Sequence, residues 1–385
     1  MAEHLIDRLH DSCFVFRGYN ITNLGKTPQL LENRAYGPIM ERYLKQASDI
    51  ASEEVGQEIN LIARVRAKQE TNLNSFPDAV ALVLASEVAQ IAMLRECHGI
   101  EYQASRLAAG YSLGEVSANI CGGVLAFSDA LRVPVSLAID SAELGKNTKM
   151  GVVFSRTGQI DIESIMRLCV EITLEGRGVI AISAHLSPNS LLLLGEHETI
   201  DRFSSIQKRR LAADIHVRKN RHCWPPLHTP IVRQRSITDR AATRLQNIGG
   251  KLATPNPPIA SLVTGKIDYN DFNAREILND WTDHPQQVWS AVCNTLSSGV
   301  RTVIHVGPEP NLFPATYKRL ADNVVGQGRS GPATSIGQRL VKGMIDRPWL
   351  AALLPTEVAL LRAPSLTHII LEDWLLENAP TQQSS

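Results

Sequence analysis

Short apolar runs alternate with segments of helical periodicity along most of the chain. The run Cys13–Phe16 predicts a buried strand that ends at Gly18, and the apolar spacing between Asp78 and Leu94 predicts a long helix. Arg106–Ala109 predicts a second short strand, which leads into a glycine-bounded turn. Regular alternation of strands and helices indicates an α/β fold.

Residues 150–218 have a different order of elements. Their pattern predicts strand, helix, strand, strand, helix and strand, which is the split βαββαβ unit of ferredoxin-like modules. Such a unit can be inserted as a block into a larger fold. We therefore predict one large body from residues 1–149 and 219–325, with a ferredoxin-like subdomain at 150–218. The composition GQGRSGPATS predicts a linker, so 326–385 is expected to form a linker and a C-terminal helical tail.

Charge and hydropathy narrow the class of protein. Lys and Arg number 39 and Asp and Glu number 39, so the chain is not built chiefly to coat nucleic acid or an anionic membrane. No run reaches the roughly 18 uncharged apolar residues of a membrane span, and the nearest, Ala79–Leu94, contains Glu87. The charged N-terminus argues against a signal peptide, and the scattered cysteines have no metal-ligand spacing. We expect a cytoplasmic protein with reduced thiols, no metal ion, and neither nucleic acid nor membrane as a partner.

The segment Gly110–Gly114 carries the first candidate chemistry. It matches the pattern GxSxG between a predicted strand and a predicted helix that begins at Glu115. A sharp turn of this kind lifts a serine hydroxyl clear of the sheet and points the first helical amides at it. Ser112 is therefore a candidate nucleophile, with the backbone N–H of Leu113 as one oxyanion donor. The alternative is a glycine-bounded turn with an incidental serine.

A serine nucleophile needs a base, and His228 is the histidine with the most constrained backbone. Three prolines surround it, Pro225, Pro226 and Pro230, and proline fixes φ and prevents regular structure. An imidazole on a stiff loop suits a general base. The same stiffness suits a rigid connector, so both interpretations stay open.

Several segments, in the same order, resemble the malonyl-CoA:acyl-carrier-protein transacylases and the acyltransferase domains of polyketide synthases. Gly110–Glu115, followed by Cys121–Leu125, resembles the active-site segment of that family. Four further segments resemble its opening strand and glycine loop, its histidine element, a later strand and a Val-Gly-Pro turn: Phe14–Gly18, Leu227–Pro230, Ser261–Lys266 and Val306–Pro308. The resemblance covers residues 12–325.

The resemblance implies an α/β hydrolase-like body with the inserted subdomain, and an active site in the cleft between them. It implies a serine–histidine dyad, Ser112 and His228, that transfers acyl groups by a ping-pong mechanism with no bound cofactor. The substrate would be acyl-CoA or acyl-phosphopantetheine and the partner an acyl carrier protein, in fatty acid or polyketide biosynthesis. A carbonyl oxygen or an amide, and not a carboxylate, would orient the histidine, and it would come from the region Asn279–Trp281. Tyr19, at the position of the family's oxyanion glutamine, would supply the second oxyanion N–H.

Two positions near the expected acyl pocket depart from the family. Tyr111 replaces the histidine that commonly precedes the nucleophile. Malonyl-specific members hold an arginine twenty-five residues after the serine, where it pairs with the free malonyl carboxylate, and here that position is Leu137. Arg132 lies more than one helical turn earlier and aligns with a different family arginine. We therefore expect these three residues to flank a pocket for an uncharged acyl group, because a carboxylate beside Leu137 would lack a partner.

Basic residues cluster on both sides of the last predicted strand of the insertion. They are candidates for docking an acidic carrier protein or CoA phosphates: Lys208, Arg209, Arg210, Arg218 and Arg221. A solvated surface is the alternative interpretation. Two other functions also stay open. An acyl-thioester hydrolase would use the same dyad with water as the second nucleophile, and a non-catalytic carrier-binding relative would keep only the fold.

Overall fold

Two separate β-sheets organise the protein. A computed structural model describes residues 5–156, 158–249, 252–329, 350 and 358–380. Within these residues one sheet has five strands and the other has four. In chain order the strands are β1 (Ser12–Phe16), β2 (Leu107–Gly110), β3 (Thr148–Ser155), β4 (Ile180–Ser187), β5 (Ser190–Glu196), β6 (Ile215–Cys223), β7 (Ile259–Ala260), β8 (Thr302–Val306) and β9 (Thr367–Ile370).

Helices connect most of these strands. They are α1 (Thr27–Glu32), α2 (Gly37–Val55), α3 (Leu61–Arg66), α4 (Phe76–His98), α5 (Leu113–Cys121), α6 (Phe127–Gly145), α7 (Ile162–Leu174), α8 (Thr199–Arg210), α9 (Ile237–Asn247), α10 (Ala274–Asp280), α11 (Val288–Ser297), α12 (Leu312–Arg329) and α13 (Leu371–Glu377). Short 3₁₀ turns lie at Leu9–Asp11, Leu73–Ser75, Tyr102–Ala104, Pro230–Arg235 and Val358–Ser365.

The five-stranded sheet is parallel and has the order β7-β2-β1-β8-β9. Alternate side chains of β1 enter two different apolar clusters. Phe14 and Phe16 pack with α2, α4 and α6, whereas Cys13 and Val15 pack with α11 and α12. Because helices cover both faces, the strand is apolar from Cys13 to Phe16 and shows no alternation. The sheet and its two helical layers form the large body.

The four-stranded sheet is antiparallel and has the order β4-β5-β3-β6. Its elements follow the predicted βαββαβ sequence, with α7 and α8 packed on one face through their own apolar cluster. The opposite face contributes Ala184 and Leu192 to a cluster shared with the large body. A parallel α/β body with a second, ferredoxin-like sheet confirms the predicted fold class.

The C-terminal tail differs from the purely helical prediction. Its described part contains β9, which pairs in parallel with β8 and extends the main sheet. The edge of β8 supplies hydrogen-bond partners that a local pattern of four residues does not reveal. The tail also packs on the body, since the Glu372 carboxylate accepts hydrogen bonds from the backbone N–H groups of Lys26 at 2.8 Å and Glu309 at 2.9 Å. Helix α12 extends to Arg329, and the rest of the predicted linker lies outside the described residues.

Helix α4 crosses the centre of the large body. Together with the preceding turn it forms the segment Leu73–His98, the one helix in the described part of the chain that is long and apolar enough to cross a membrane. Its most apolar stretch is 89% buried inside the protein. The apolar character of this helix is therefore accounted for by its position in the core.

Candidate active site

Ser112 lies at a strained turn between β2 and α5. Its φ of 55° and ψ of −119° fall outside the regions that non-glycine residues ordinarily adopt. Such a turn requires close backbone approach, and a Cβ at Gly110 would lie 2.1 Å from the carbonyl group of Gly114. The serine side chain is nearly buried, with 7% exposure, at the N-terminus of a nine-residue helix. This geometry is that of a nucleophile elbow.

The loop after β1 approaches this elbow closely. A Cβ at Gly18 would lie 2.6 Å from the Tyr111 carbonyl oxygen and 3.0 Å from Ser112 Cβ. The buried Arg17 side chain stabilises the loop, because its guanidinium donates to the carbonyls of Gly18 at 2.7 Å and Thr22 at 3.1 Å, and to that of Pro308. An arginine held by carbonyl oxygens fixes several backbone segments at once.

Two backbone amides beside the serine are available to a ligand. Tyr19 and Leu113 both line the cavity described below. Within the described residues, neither of their N–H groups donates a hydrogen bond to the protein. Unpaired amides on two sides of a serine hydroxyl are what an oxyanion hole requires.

His228 lies beside the serine although 116 residues separate them. Its Nε2 is 2.7 Å from Ser112 Oγ, and its Nδ1 is 2.7 Å from the carbonyl oxygen of Trp281. Because a carbonyl only accepts, Nδ1 carries the proton and Nε2 is the acceptor for the serine hydroxyl. The acceptor carbonyl lies in the segment Asn279–Trp281 that the resemblance had indicated.

Burial controls the protonation of His228. The imidazole is 3% exposed, and burial lowers its pKa to about 4, while the hydrogen bond to the Trp281 carbonyl opposes the shift more weakly. The neutral base is therefore the main form at neutral pH. A neutral imidazole that accepts from a serine hydroxyl can act as a general base.

A cavity of about 260 Å³ opens at the dyad, between the two sheets. Both Ser112 and His228 line it. Most of the remaining wall is apolar and comes from both sheets and the loops between them: Val15, Phe76, Met150, Val152, Leu186, Leu192, Leu194, Trp224 and Leu227. Tyr111 also lines the cavity, and burial raises the pKa of its phenol to about 12, so it stays protonated. The chemical groups thus face a mostly apolar chamber.

No protein-family model matches the chain. The malonyl CoA-acyl carrier protein transacylase of Salmonella typhimurium is 26% identical over 331 residues, which cover 83% of this chain and 96% of that protein. A solved malonyl-transacylase, in complex with its type II polyketide synthase acyl-carrier protein, has a TM-score of 0.62 and 26% identity. That alignment covers 80% of this chain and 92% of the other. FabD from Acinetobacter baumannii has the same fold, with a TM-score of 0.64 and 17% identity, over 80% of this chain and 91% of its own.

The chain is similar to malonyl-CoA:acyl-carrier-protein transacylases over most of its length. Three of the segments that carried the resemblance in the sequence contribute residues to the cavity wall: Phe14–Gly18, Gly110–Glu115 and Leu227–Pro230. The glycine loop of Gly18 and the elbow of Ser112 lie on adjacent strands, β1 and β2. Of the remaining segments, Ser261–Lys266 contacts the helix after the elbow, because Ser261 Oγ donates to the Glu115 carboxylate at 2.6 Å.

Two residues expected at the acyl pocket lie elsewhere. Leu137 is 1% exposed in the main apolar core, and it does not line the cavity. Arg132 pairs with Glu53 and Glu54, at 2.6 Å to each, and it does not line the cavity either. Both residues sit on α6, where core packing and an ion pair determine their orientation. The prediction that they flank the acyl pocket is therefore corrected.

The basic residues of the insertion are spread over its surface. Of the five candidates, Arg218 lines the cavity, and the others do not. Arg210, at the end of α8, pairs with Glu171. Carrier docking needs no contact with the cavity, so this role stays a prediction for Lys208, Arg209, Arg210, Arg218 and Arg221. Arg319, on α12, also lines the cavity, and no sequence motif had singled it out.

The segment that follows α10 was largely missed by sequence reasoning. Trp281 donates from Nε1 to the Ser112 carbonyl oxygen at 2.8 Å, and Gln286 Oε1 accepts from the Ser112 N–H at 3.1 Å. No pattern in the sequence connects this segment with the elbow, because only the fold brings them together. Within the described residues, no group of three or more His, Cys, Asp or Glu side chains could hold a metal ion.

Proposed function

We propose that this protein is an acyltransferase that moves an acyl group from a CoA thioester to the phosphopantetheine thiol of an acyl carrier protein. Ser112 is the nucleophile and His228 the base. The observation that supports this most strongly is the 2.7 Å contact between His228 Nε2 and Ser112 Oγ in a mostly apolar cavity. The relatives support it as well, since they are named as malonyl CoA-acyl carrier protein transacylases.

In the first half-reaction, His228 Nε2 takes the proton of Ser112 Oγ as the oxygen attacks the thioester carbonyl. The N–H groups of Leu113 and Tyr19 stabilise the oxyanion that forms on the carbonyl oxygen. When the tetrahedral intermediate collapses, the C–S bond breaks and the imidazolium returns its proton to the departing CoA thiolate. The product is an acyl ester on Ser112.

In the second half-reaction, the carrier protein's thiol gives its proton to His228 and attacks the ester carbonyl. When this intermediate collapses, the ester C–O bond breaks, the imidazolium returns its proton to Ser112 Oγ, and the acyl group stays on the carrier. Because the Trp281 carbonyl accepts the Nδ1 proton at 2.7 Å, the imidazole keeps one tautomer through both half-reactions. A thiolate is a good leaving group, so a dyad without a third carboxylate is sufficient.

The acyl group that this site takes is uncharged. The cavity wall near the dyad is mostly apolar, and Leu137 lies in the core outside the cavity. The Arg17 guanidinium already donates hydrogen bonds to surrounding carbonyl oxygens. The other arginines lining the cavity, Arg218 and Arg319, are exposed. A second carboxylate would lose its hydration in the chamber without a fixed cationic partner.

Intact-mass spectrometry tests this proposal. The purified protein is incubated with acetyl-, butyryl- and malonyl-CoA in turn, and then with a holo acyl carrier protein. We expect a stable acyl adduct that disappears as the carrier gains the same mass. Loss of the adduct to water, with no gain on the carrier, would replace transfer by hydrolysis. Absence of any adduct from every acyl-CoA would remove the acyl-enzyme proposal.

A further inference from the structure

The backbone of the nucleophile is held on both sides by a single segment. Trp281 Nε1 donates to the Ser112 carbonyl oxygen, and the Gln286 side chain accepts from the Ser112 N–H. The same segment holds the base, because His228 Nδ1 contacts the Trp281 carbonyl and the His228 N–H donates to the Thr282 carbonyl at 2.7 Å. Residues 281–286 thus contact both members of the dyad.

Gln286 is anchored at its own backbone to the inserted subdomain. Its N–H donates to the Ser183 carbonyl at 2.8 Å, and its carbonyl accepts from the His185 N–H at 2.8 Å. These bonds form an isolated parallel bridge to β4. Gln286 is fully buried, so solvent does not compete for its amide oxygen. The side chain therefore connects the ferredoxin-like sheet to the nucleophile elbow.

The geometry points to Gln286 as a positioning residue that holds the strained Ser112 backbone at the height and angle the dyad requires. The elbow has a positive φ, so its conformation persists only when the surroundings stabilise it. Without the Gln286 acceptor, the nearly buried Ser112 N–H loses its partner and the elbow can relax away from His228. This role rests on the proposed function, in which Ser112 is the nucleophile.

The test compares matched variants of two neighbouring glutamines. Gln286→Met keeps the length of the side chain and removes the acceptor. Gln286→Glu keeps an acceptor oxygen in either protonation state of the carboxyl group. Gln287→Met is the control, because within the described part of the chain the Gln287 side chain makes no hydrogen bond. Each protein is assayed for acylation by acyl-CoA, for labelling by a fluorophosphonate probe, and for its Tm.

We expect Gln286→Met to lower the acylation kcat and the labelling rate by about 10–100-fold, from the loss of one buried hydrogen bond. KM for the acyl-CoA should change less than about threefold, because Gln286 does not line the cavity. Gln286→Glu should recover most of the rate, and Gln287→Met should match the parent. Parental rates of acylation and labelling in Gln286→Met would overturn the inference. It would also be overturned if Gln286→Met and Gln286→Glu lost rate equally and both had a lower Tm than the parent.

The probe separates this inference from the proposed function. A fluorophosphonate reports the reactivity of Ser112 whatever the natural acyl donor is. If the parent labels but accepts no acyl group from CoA, the proposed function fails while the Gln286 comparison is still decided by labelling. If the parent transfers acyl groups and all glutamine variants match it, only the positioning role fails.

Discussion

Of two elements that the sequence assigned to the active site, the elbow at Ser112 lines the cavity and the helix α6 does not. Ser112 Oγ on the elbow lies 2.7 Å from His228 Nε2 beside the cavity. On α6, Leu137 packs in the core and Arg132 pairs with Glu53 and Glu54. A site residue can therefore be assigned from a family resemblance more safely when its motif fixes the local backbone. It is assigned less safely when only its distance along the chain identifies it.

The physical difference lies in what sets each side chain's position. The turn at Ser112 is specified by glycines within two residues of it, since a Cβ at Gly110 would overlap the next turn of chain. The orientation of a side chain on α6 depends on how the whole helix packs against α2 and α4. Five residues span more than one turn of a helix, so Arg132 and Leu137 lie on different faces of α6. A small change in how the helix packs is enough to move a side chain out of a pocket.

The largest expected effect concerns the elbow itself. Ser112→Ala should abolish acyl-enzyme formation and reduce transfer by several orders of magnitude, because among the described residues no other hydroxyl contacts the base. Intact-mass spectrometry after incubation with acyl-CoA measures the adduct. An acyl mass on the alanine variant would assign the nucleophile elsewhere.

The base should have the next largest effect. His228→Ala should slow acylation at neutral pH by about 10²–10⁴-fold, since the serine proton then has no acceptor. Stopped-flow release of CoA gives the rate, and circular dichroism checks that the variant is folded. If the folded variant acylates at the parental rate, His228 is only a rigid connector.

The pH dependence follows from the burial of the base. With the pKa of His228 lowered to about 4, the neutral imidazole predominates from about pH 5 upward. The acylation rate should stay flat from pH 5 to 7 and fall about tenfold per pH unit below 4. Pre-steady-state acylation across this range measures the profile. An inflection near pH 6.5 would mean that the histidine is solvated and not buried.

The choice of acyl group depends on the cavity wall and should not depend on α6. Acetyl- or butyryl-CoA should acylate Ser112 faster than malonyl-CoA, by about tenfold or more, because desolvating the malonyl carboxylate costs at least 1–3 kcal/mol. The ratio of kcat/KM for the two donors is the measurement. Preference for malonyl would mean that a cation pairs with its carboxylate, and Arg218→Ala and Arg319→Ala would then identify which one.

The smallest expected effect on chemistry belongs to α6. Leu137→Ala should lower the free energy of unfolding by about 2–5 kcal/mol, as for other buried leucines, because Leu137 is 1% exposed in the core. The ratio of acetyl to malonyl transfer should not change. Chemical denaturation gives the stability, and Arg132→Met, which removes a partly exposed ion pair, is the matched variant. A changed ratio in either variant would return that residue to the pocket.

Much of the architecture was readable in the chain. The βαββαβ order of the insertion and the strand before the serine depend on local apolar patterns and turns, so the sequence alone predicts them. Strand β9 was missed because four residues, Thr367–Ile370, carry no periodicity of their own and become a strand only against the edge of β8. Its partner lies more than sixty residues away.

The same division applies to the site. The sequence by itself determined the elbow, because close backbone approach leaves no room for a Cβ at Gly110 and Gly114, the two glycines that flank Ser112. Only the tertiary structure decided that the carbonyl accepting a hydrogen bond from His228 Nδ1 is that of Trp281, and that the Gln286 side chain accepts one from the Ser112 N–H. These two hydrogen bonds join residues that lie 53 and 174 positions apart along the chain. They depend on how the two sheets pack, and no local pattern encodes such a separation. Packing likewise buried Leu137 away from the cavity, because a helix places its side chains only once its neighbours are in place.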